Sequence, residues 1–334
     1  MTDQIRTIHF GIGFVGAETA RLARQRPNIQ VVGAVDVDPA KVGRDLGEVV
    51  AGEKWDVPIV ARPEHILSRA DADIVIHTTG SHLPQVYSEL EALIQAGLNV
   101  VSSCEELAFP DVQHPDLAEK LDQLARHQGV TVLGTGINPG FLMDRLPLTL
   151  TGVCQEVRMV RVVRIVDTAR RRFQLQRKTG AGLTVTEFQE QVRAGTIKHV
   201  GLPESAALIA SGLGWHLDEL TESIEPVVGE QVRRSEYFEV EPGGVCGVRQ
   251  VVRGLSRGRE VIRLDLEMAL NVENPRDEVI LDGIPPIHMI IPDGVHGDRA
   301  TAAVLVNSIP LVVDASPGLL TVVDLPAPLS VGVY

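Results

Sequence analysis

"TIHFGIGFVGAETARLARQ", residues 7–25, runs from a β-branched and aromatic stretch through Gly11-x-Gly13-x-x-Gly16 into a helix-forming segment. Each glycine has its own task at a strand-to-helix turn. Gly11 permits the tight turn, Gly13 lets a pyrophosphate approach the backbone, and Gly16 lets the helix pack against the strand. The helix begins at Phe14 and Val15, and its N-terminus offers N–H groups and the positive end of a dipole to phosphates. A second strand-like segment, "IQVVGAVDVD" (29–38), follows, and its Asp36 lies 20 residues after Gly16, placed to accept hydrogen bonds from ribose hydroxyls. The glycine pattern alone is weak evidence. Between a strand and a helix, with an acid at that distance, it predicts a Rossmann dinucleotide-binding domain. The cofactor is NAD or NADP: Asp36 repels the extra phosphate of NADP, whereas Lys41 and Arg44 on the next segment could offset that repulsion.

Strand-like segments recur at 71–79, 97–103 and 129–136, separated by the helical patterns "LPQVYSELEALIQAG" and "PDLAEKLDQLARHQ". This alternation reads as parallel βαβ units. Ligands of such sheets bind beyond the carboxyl ends of the strands. "HTTG" (77–80), "CEE" (104–106) and "GTGINPG" (134–140) all fall at such ends. Thr78, Thr79, Gly80 and Asn138 are therefore candidate cofactor contacts, although Asn138 could equally cap a helix.

Beyond residue 147 the rhythm changes. "EVRMVRVVRIVD" (156–167) alternates with period two, as a strand with one solvated face does. A loop over 168–182, helices near 184–195 and 203–215, and mostly extended segments from 224 to 293 predict an α+β domain with a mixed or antiparallel sheet. The expected division is 1–147 for the nucleotide-binding domain and 148–295 for a substrate and dimerisation domain. A helix starting near Asp298 or Arg299 is expected to return residues 296–334 to the first domain.

A net charge of −13 and the lack of any basic block beyond Arg170–Arg172 argue against a nucleic-acid partner. No run approaches the ~18 apolar residues of a membrane span, and the N-terminus enters a strand without a signal-peptide pattern. Cys104, Cys154 and Cys246 are scattered, match no metal spacing and suit a reducing cytoplasm.

At "NVVSSCEELAFP" (99–110) a buried strand runs straight into two adjacent carboxylates, Glu105 and Glu106. Adjacent side chains on an extended chain point to opposite sides, so only one of the two, Glu105 or Glu106, can face a ligand; the alternative is that both are loop acids capping the next turn. Together with "HTTGSH", "GTGINPGF", "LQRKTGAG", "HVGLPES" and "VHGDRATAAVLVNSIP", this segment resembles the 2,4-diaminopentanoate dehydrogenase family, which includes amine dehydrogenases. The resemblance extends over nearly the whole chain. It implies a two-domain fold like that of dihydrodipicolinate reductase, a homodimer, and NAD(P)-dependent oxidative deamination that is reversible as reductive amination of a ketone or aldehyde with ammonia. It also places the catalytic acid in the Cys-Glu-Glu segment, here at Glu105.

The chemistry agrees. A buried carboxylate can accept a proton from ammonium and stabilise a cationic iminium. Reducing a carbonyl to an alcohol needs a proton donor instead. Sugar dehydrogenases of similar architecture carry Glu-Lys-Pro at this strand end, and here Glu106 replaces the lysine. Dihydrodipicolinate reductase itself would show a His-His motif and a Lys-Asp-Ala-Pro-Ser-Gly-Thr-like stretch, and neither is present.

His77 either contacts the cofactor or is a satisfied structural histidine. Asn307 is expected to reach the nicotinamide carboxamide if its helix returns to the cofactor. Phe141, Met143, Phe173, His199 and Trp215 are expected pocket walls for an alkyl chain. A diamino acid would also need a cationic clamp for its carboxylate, which Arg170, Arg171, Arg172, Arg177 and Lys178 could supply; simple ketones and aldehydes would not. A non-catalytic NAD-binding sensor is the alternative from a different class.

Overall fold

The computed structural model describes residues 4–67 and 72–330. Its elements run β1 (Ile5–Phe10), α1 (Phe14–Arg24), β2 (Ile29–Val35), α2 (Leu46–Val50), β3 (Ile59–Val60), α3 (Glu64–Leu67), β4 (Ile74–His77), α4 (Leu83–Gln95), β5 (Asn99–Ser102), α5 (Pro115–Gln128) and β6 (Thr131–Gly134). The strand expected over 71–79 begins at Asp71, outside the described residues, and occupies 74–77. There follow α6 (Arg145–Thr151), β7 (Glu156–Asp167), α7 (Phe173–Lys178), α8 (Val185–Arg193), α9 (Leu202–Gly212) and β8 (Glu219–Val228). The chain continues through β9 (Arg233–Arg234), β10 (Glu239–Val240), β11 (Val245–Ser256), β12 (Arg259–Ala269), β13 (Arg276–Ile284) and β14 (Ile287–Pro292), then closes with α10 (Gly297–Val313) and β15 (Gly318–Leu320).

These elements form two compact units, one made of the chain up to Phe141 together with the segment from His296, the other of residues 142–295. In the first unit all seven strands are parallel, in the order β15-β6-β5-β4-β1-β2-β3. Every residue of β4 and β6 is buried. Covering a parallel sheet on both faces demands such unbroken apolar runs instead of alternation. On one face Leu83, Val86, Leu90 and Leu93 of α4 and Leu121 and Ala125 of α5 pack with Ile8, Val75, Val100 and Val132 of the strands. On the other, α10 lies against α1 and β5. The last turn of α5 ends at Gly129 with φ +69°, a left-handed cap that a residue with a Cβ adopts only at a cost.

The second unit holds a six-stranded sheet in the order β14-β13-β7-β12-β11-β8. Pairing of β7 with β12 is parallel and the other pairings are antiparallel, so the sheet is mixed. One face buries Val160, Val162, Val252, Leu264 and Leu281 with Leu202, Ala206 and Ile209 of α9. Alternate residues of the same strands put a charged ladder on the opposite face. Asp265 sits there within ion-pair distance of Arg161, Arg263 and Arg249, at 3.1, 2.8 and 3.6 Å.

The segment over 168–182, expected to be a loop, contains α7. Buried Gln176 stabilises it by donating to the Ala169 and Arg171 carbonyls, at 3.2 and 2.7 Å, and accepting from Ser235 Oγ. Those partners are invisible to a reading of local propensity. The late helix begins at Gly297 with His296 as its N-cap, slightly earlier than expected.

Candidate active site

Gly11 has φ +89°, and a Cβ there would stand 2.8 Å from the Thr78 carbonyl oxygen. A Cβ on Gly16 would stand 1.9 Å from the Gly11 carbonyl oxygen, so the first turn of α1 closes on β1 only because both residues are glycine. Gly13 is different. A Cβ there would meet nothing within 4 Å, and as the N-cap of α1 it offers no side chain to the helix terminus. Open space over a helix N-terminus, beside Phe14 and Val15, fits a pyrophosphate.

Asp36, buried at the end of β2, is held on three sides. It accepts from the backbone N–H of Ile12 at 2.7 Å and of Asp38 at 2.8 Å, and from Lys41 Nζ at 3.1 Å. An ionised carboxylate has about four acceptor sites, so capacity for one ribose hydroxyl remains. The bond from Ile12 also ties the acid to the glycine turn, linking the two halves of the nucleotide motif.

At the end of β4, Thr78 Oγ1 donates to the Gly11 carbonyl at 2.6 Å, and Thr79 Oγ1 donates to Glu89 Oε2 at the same distance. These hydroxyls shape the turn, leaving the backbone through Gly80 as the surface that can meet a cofactor. His77 is fully buried, with Nδ1 2.8 Å from Ser102 Oγ and Nε2 2.9 Å from Glu89 Oε2. It is a satisfied histidine in the floor of the site. Burial alone would raise the Glu89 carboxyl, but the His77 and Thr79 bonds outweigh it and hold the group below the usual range.

The two glutamates after β5 part company. They open a 3-10 turn, Glu105–Ala108, with Leu107 N–H donating to the Cys104 carbonyl at 3.1 Å. Glu106 is 4% exposed. Its carboxylate lies 2.7 Å from His82 Nδ1, 2.7 Å from the Leu83 backbone nitrogen and 3.0 Å from His114 Nε2. Burial would raise this group too, but the bonds from His82, Leu83 and His114 leave it below the usual carboxylate range, ionised and held by three donors. Glu105 is only half-buried. Beside them, burial pushes the Cys104 thiol up to about 12, which makes it a packed thiol and no nucleophile.

The turn rests on the end of β6. A Cβ on Gly134 would stand 2.4 Å from the Leu107 carbonyl carbon. Asn138, buried, precedes a cis bond to Pro139. A Cβ on Gly140 would stand 2.4 Å from the Gly136 nitrogen, which keeps this hairpin-like turn tight. The start of α10 joins it: Thr301 Oγ1 accepts from the Ile137 N–H at 3.3 Å.

Asn307 lies on α10. Its Oδ1 accepts from Arg26, which follows the C-terminal end of α1, the end remote from the glycine turn. Six residues of α10 separate it from Thr301, about 9 Å at 1.5 Å per residue. Met143, another expected pocket wall, is fully buried in the core of the second unit with Leu202 and Ile209. Phe141 ends the first unit, while Phe173 and His199 belong to the second. Phe173 is 40% exposed and stacks on Phe238, ring centroids 5.6 Å apart. The His199 main chain is held at both ends by the buried Gln250 amide, and Trp215 packs at the edge of the core formed by α9 and the sheet.

Residues 141–332 match the sequence model of the 2,4-diaminopentanoate dehydrogenase C-terminal domain. The chain belongs to the 2,4-diaminopentanoate dehydrogenase family. A 2,4-diaminopentanoate dehydrogenase of Acetoanaerobium sticklandii is 34% identical over 338 residues, covering 98% of this chain and 95% of that one. An amine dehydrogenase of Streptomyces virginiae is 24% identical over 363 residues, covering 98% of each. The solved structure of an amine dehydrogenase from Mycobacterium smegmatis superposes with a TM-score of 0.86 at 25% identity, over 98% of this chain and 97% of the other. Residues 5–133 match the N-terminal model of dihydrodipicolinate reductase, in keeping with the shared nucleotide-binding architecture.

Within this family member, Glu89, Ser102 and His114 are parts of the site that sequence reading overlooked. Each reaches its partner across the sheet or between helices, at separations with no periodic signature. Only the pairing of neighbouring strands, His77 opposite Ser102, gives a hint of them.

Proposed function

We propose that the chain is an NAD(P)-dependent amine dehydrogenase, deaminating an amine oxidatively and aminating a ketone or aldehyde with ammonia in reverse. The observation that carries the mechanism is the division of labour at 105–106: Glu106 is locked by three donors, while Glu105 stands half-buried beside it on the same turn. Glu105 is the acid/base. In the oxidative direction its carboxylate takes a proton from the substrate ammonium, leaving a neutral amine whose lone pair assists departure of hydride from the adjacent carbon. The bound nicotinamide supplies the hydride acceptor. The iminium cation that remains is stabilised by the same side chain, and a water molecule adds to it, losing a proton to solvent, to give a hemiaminal. Glu105 then returns its proton to the departing nitrogen, which takes the hemiaminal hydroxyl proton as it leaves, so substrate ammonium, oxidised cofactor and water become ketone, reduced cofactor, ammonium and one proton. Gly11, Gly13, Gly16 and Asp36 hold the dinucleotide, with Lys41 partly neutralising Asp36.

Residues 148–295 take the substrate in this reading, with Phe173 and His199 as contributors. The charged ladder around Asp265 offers a self-complementary face to a second copy, which supports a homodimer. Three free thiols suit the cytoplasm, and no helix among the described residues is long and apolar enough to cross a membrane.

The deciding experiment runs small ketones, aldehydes and 2-amino-4-oxopentanoate with ammonia and each reduced cofactor. Turnover that requires both a carbonyl compound and ammonia is expected, and its collapse by about 10²-fold or more in Glu105→Ala, with cofactor binding retained. Oxidation of reduced cofactor that ignores ammonia would falsify the assignment. A clear preference for 2-amino-4-oxopentanoate over simple ketones would select the diamino-acid form of the activity.

A further inference from the structure

We infer that His82 and His114 are positioning residues, which clamp the Glu106 carboxylate and thereby fix the turn that presents Glu105. The inference rests on the reading of Glu105 as the acid/base.

A four-residue 3-10 turn with poor hydrogen-bond geometry has little rigidity of its own. The rigidity here comes from outside. His82 is the N-cap of α4, Leu83 its first residue, and His114 the N-cap of α5. The Glu106 carboxylate therefore ties one turn to the starts of two helices, while its own N–H donates to the Ser81 carbonyl at 3.3 Å. A buried carboxylate without donors is costly, so loss of either imidazole favours rotation of Glu106 towards water. Glu105 is its neighbour in the chain and must move with it. Misplacing a catalytic group by about 1 Å costs on the order of 10²-fold in rate. His82, Glu106 and His114 lie at hydrogen-bond separations, and among the described residues no group of three such side chains has metal-holding geometry.

The test exploits which nitrogen each histidine uses. In His82→Asn the amide nitrogen falls near the position of Nδ1, and in His114→Gln near that of Nε2, so the pair His82→Asn/His114→Gln keeps both donors. His82→Ala/His114→Ala removes them. The alanine pair is expected to lose about ten-fold or more in kcat with the NADH dissociation constant unchanged, and the amide pair to recover most of the loss. Equal activity of the alanine pair and the parent overturns the inference, as does an amide pair no better than the alanine pair, or a loss of kcat matched by a loss of cofactor affinity. Should the alanine pair not fold, His82→Ala against His82→Asn carries the same comparison at a side chain that is 45% exposed. Glu105→Gln run in parallel separates the two ideas: if it keeps full turnover the acid/base reading fails, whereas its inactivity beside fully active clamp variants removes the clamp alone.

Discussion

His77 Nδ1 lies 2.8 Å from Ser102 Oγ, across register-paired ends of β4 and β5. Ser102 Oγ also accepts the Cys104 N–H at 3.1 Å. On the other side of the ring, Nε2 lies 2.9 Å from both Glu89 Oε2 and Thr79 Oγ1. A chain of bonds thus runs from helix α4 through two strands to the residue before Glu105. The clamp on Glu106 grips the turn from its far side, so the proposed acid is braced from both directions.

Ser102→Ala removes the acceptor of the Cys104 N–H and the partner of His77 Nδ1 together, leaving buried polar groups unpaired. A loss of about 1–3 kcal/mol in stability is expected, together with a several-fold fall in kcat as the turn loosens. Urea unfolding and steady-state kinetics on the same preparation check both. Unchanged turnover with lowered stability would show the relay to be structural only.

Cofactor choice turns on Lys41. Its ammonium lies 3.1 Å from Asp36 and 3.4 Å from Asp38. A 2′-phosphate arriving near Asp36 would be repelled by that carboxylate, and Lys41 is the group placed to offset the repulsion. A partly exposed charge interaction of this kind is worth roughly 1 kcal/mol. Lys41→Ala should therefore raise the KM for NADPH about five-fold while that for NADH changes little. Equal effects on both cofactors would remove Lys41 from the discrimination.

Gly134 is under a tighter constraint than its place in "GTGINPG" suggests. A Cβ would collide with the Leu107 backbone, which has no flexible side chain to yield. Gly134→Ala must push the 3-10 turn away from β6, at about 1–3 kcal/mol for overpacking, and it moves Glu105 with the turn. Activity is expected to fall more than ten-fold in protein that still binds NADH. Parent-like activity would mean that the turn tolerates the shift and that the position of Glu105 is less critical than argued.

The nucleotide-binding half was readable because its signals are local: glycines at fixed spacing, an acid after the second strand, apolar runs of strand length. The alternation at 156–167 was equally direct, and it gave β7 from Glu156 to Asp167. What stayed hidden depends on partners distant in sequence. Glu106 looks the same as Glu105 until His82 and His114 arrive from two helix starts. Helix α7 depends on Gln176 meeting Ser235, far along the chain.

His9 gives an acid-stability prediction with a definite sign. It lies in β1 at 1% exposure, and neither ring nitrogen has a hydrogen-bond partner among the described residues. Burial lowers its pKa from 6.5 to about 3. Between those values the unfolded chain binds a proton that the folded chain refuses, so stability falls as pH drops through this window and is independent of His9 above it. Many carboxylates titrate in the lower part of the same range, so the comparison must be with a variant. His9→Leu fills a similar volume with no ionisable group. Its stability relative to the parent should rise on acidification, by up to about 2–3 kcal/mol two pH units below 6.5. Urea midpoints for both proteins at pH 8, 6 and 4.5 measure the difference, and a difference that stays constant over that range would mean that His9 gains water or a partner when it is protonated.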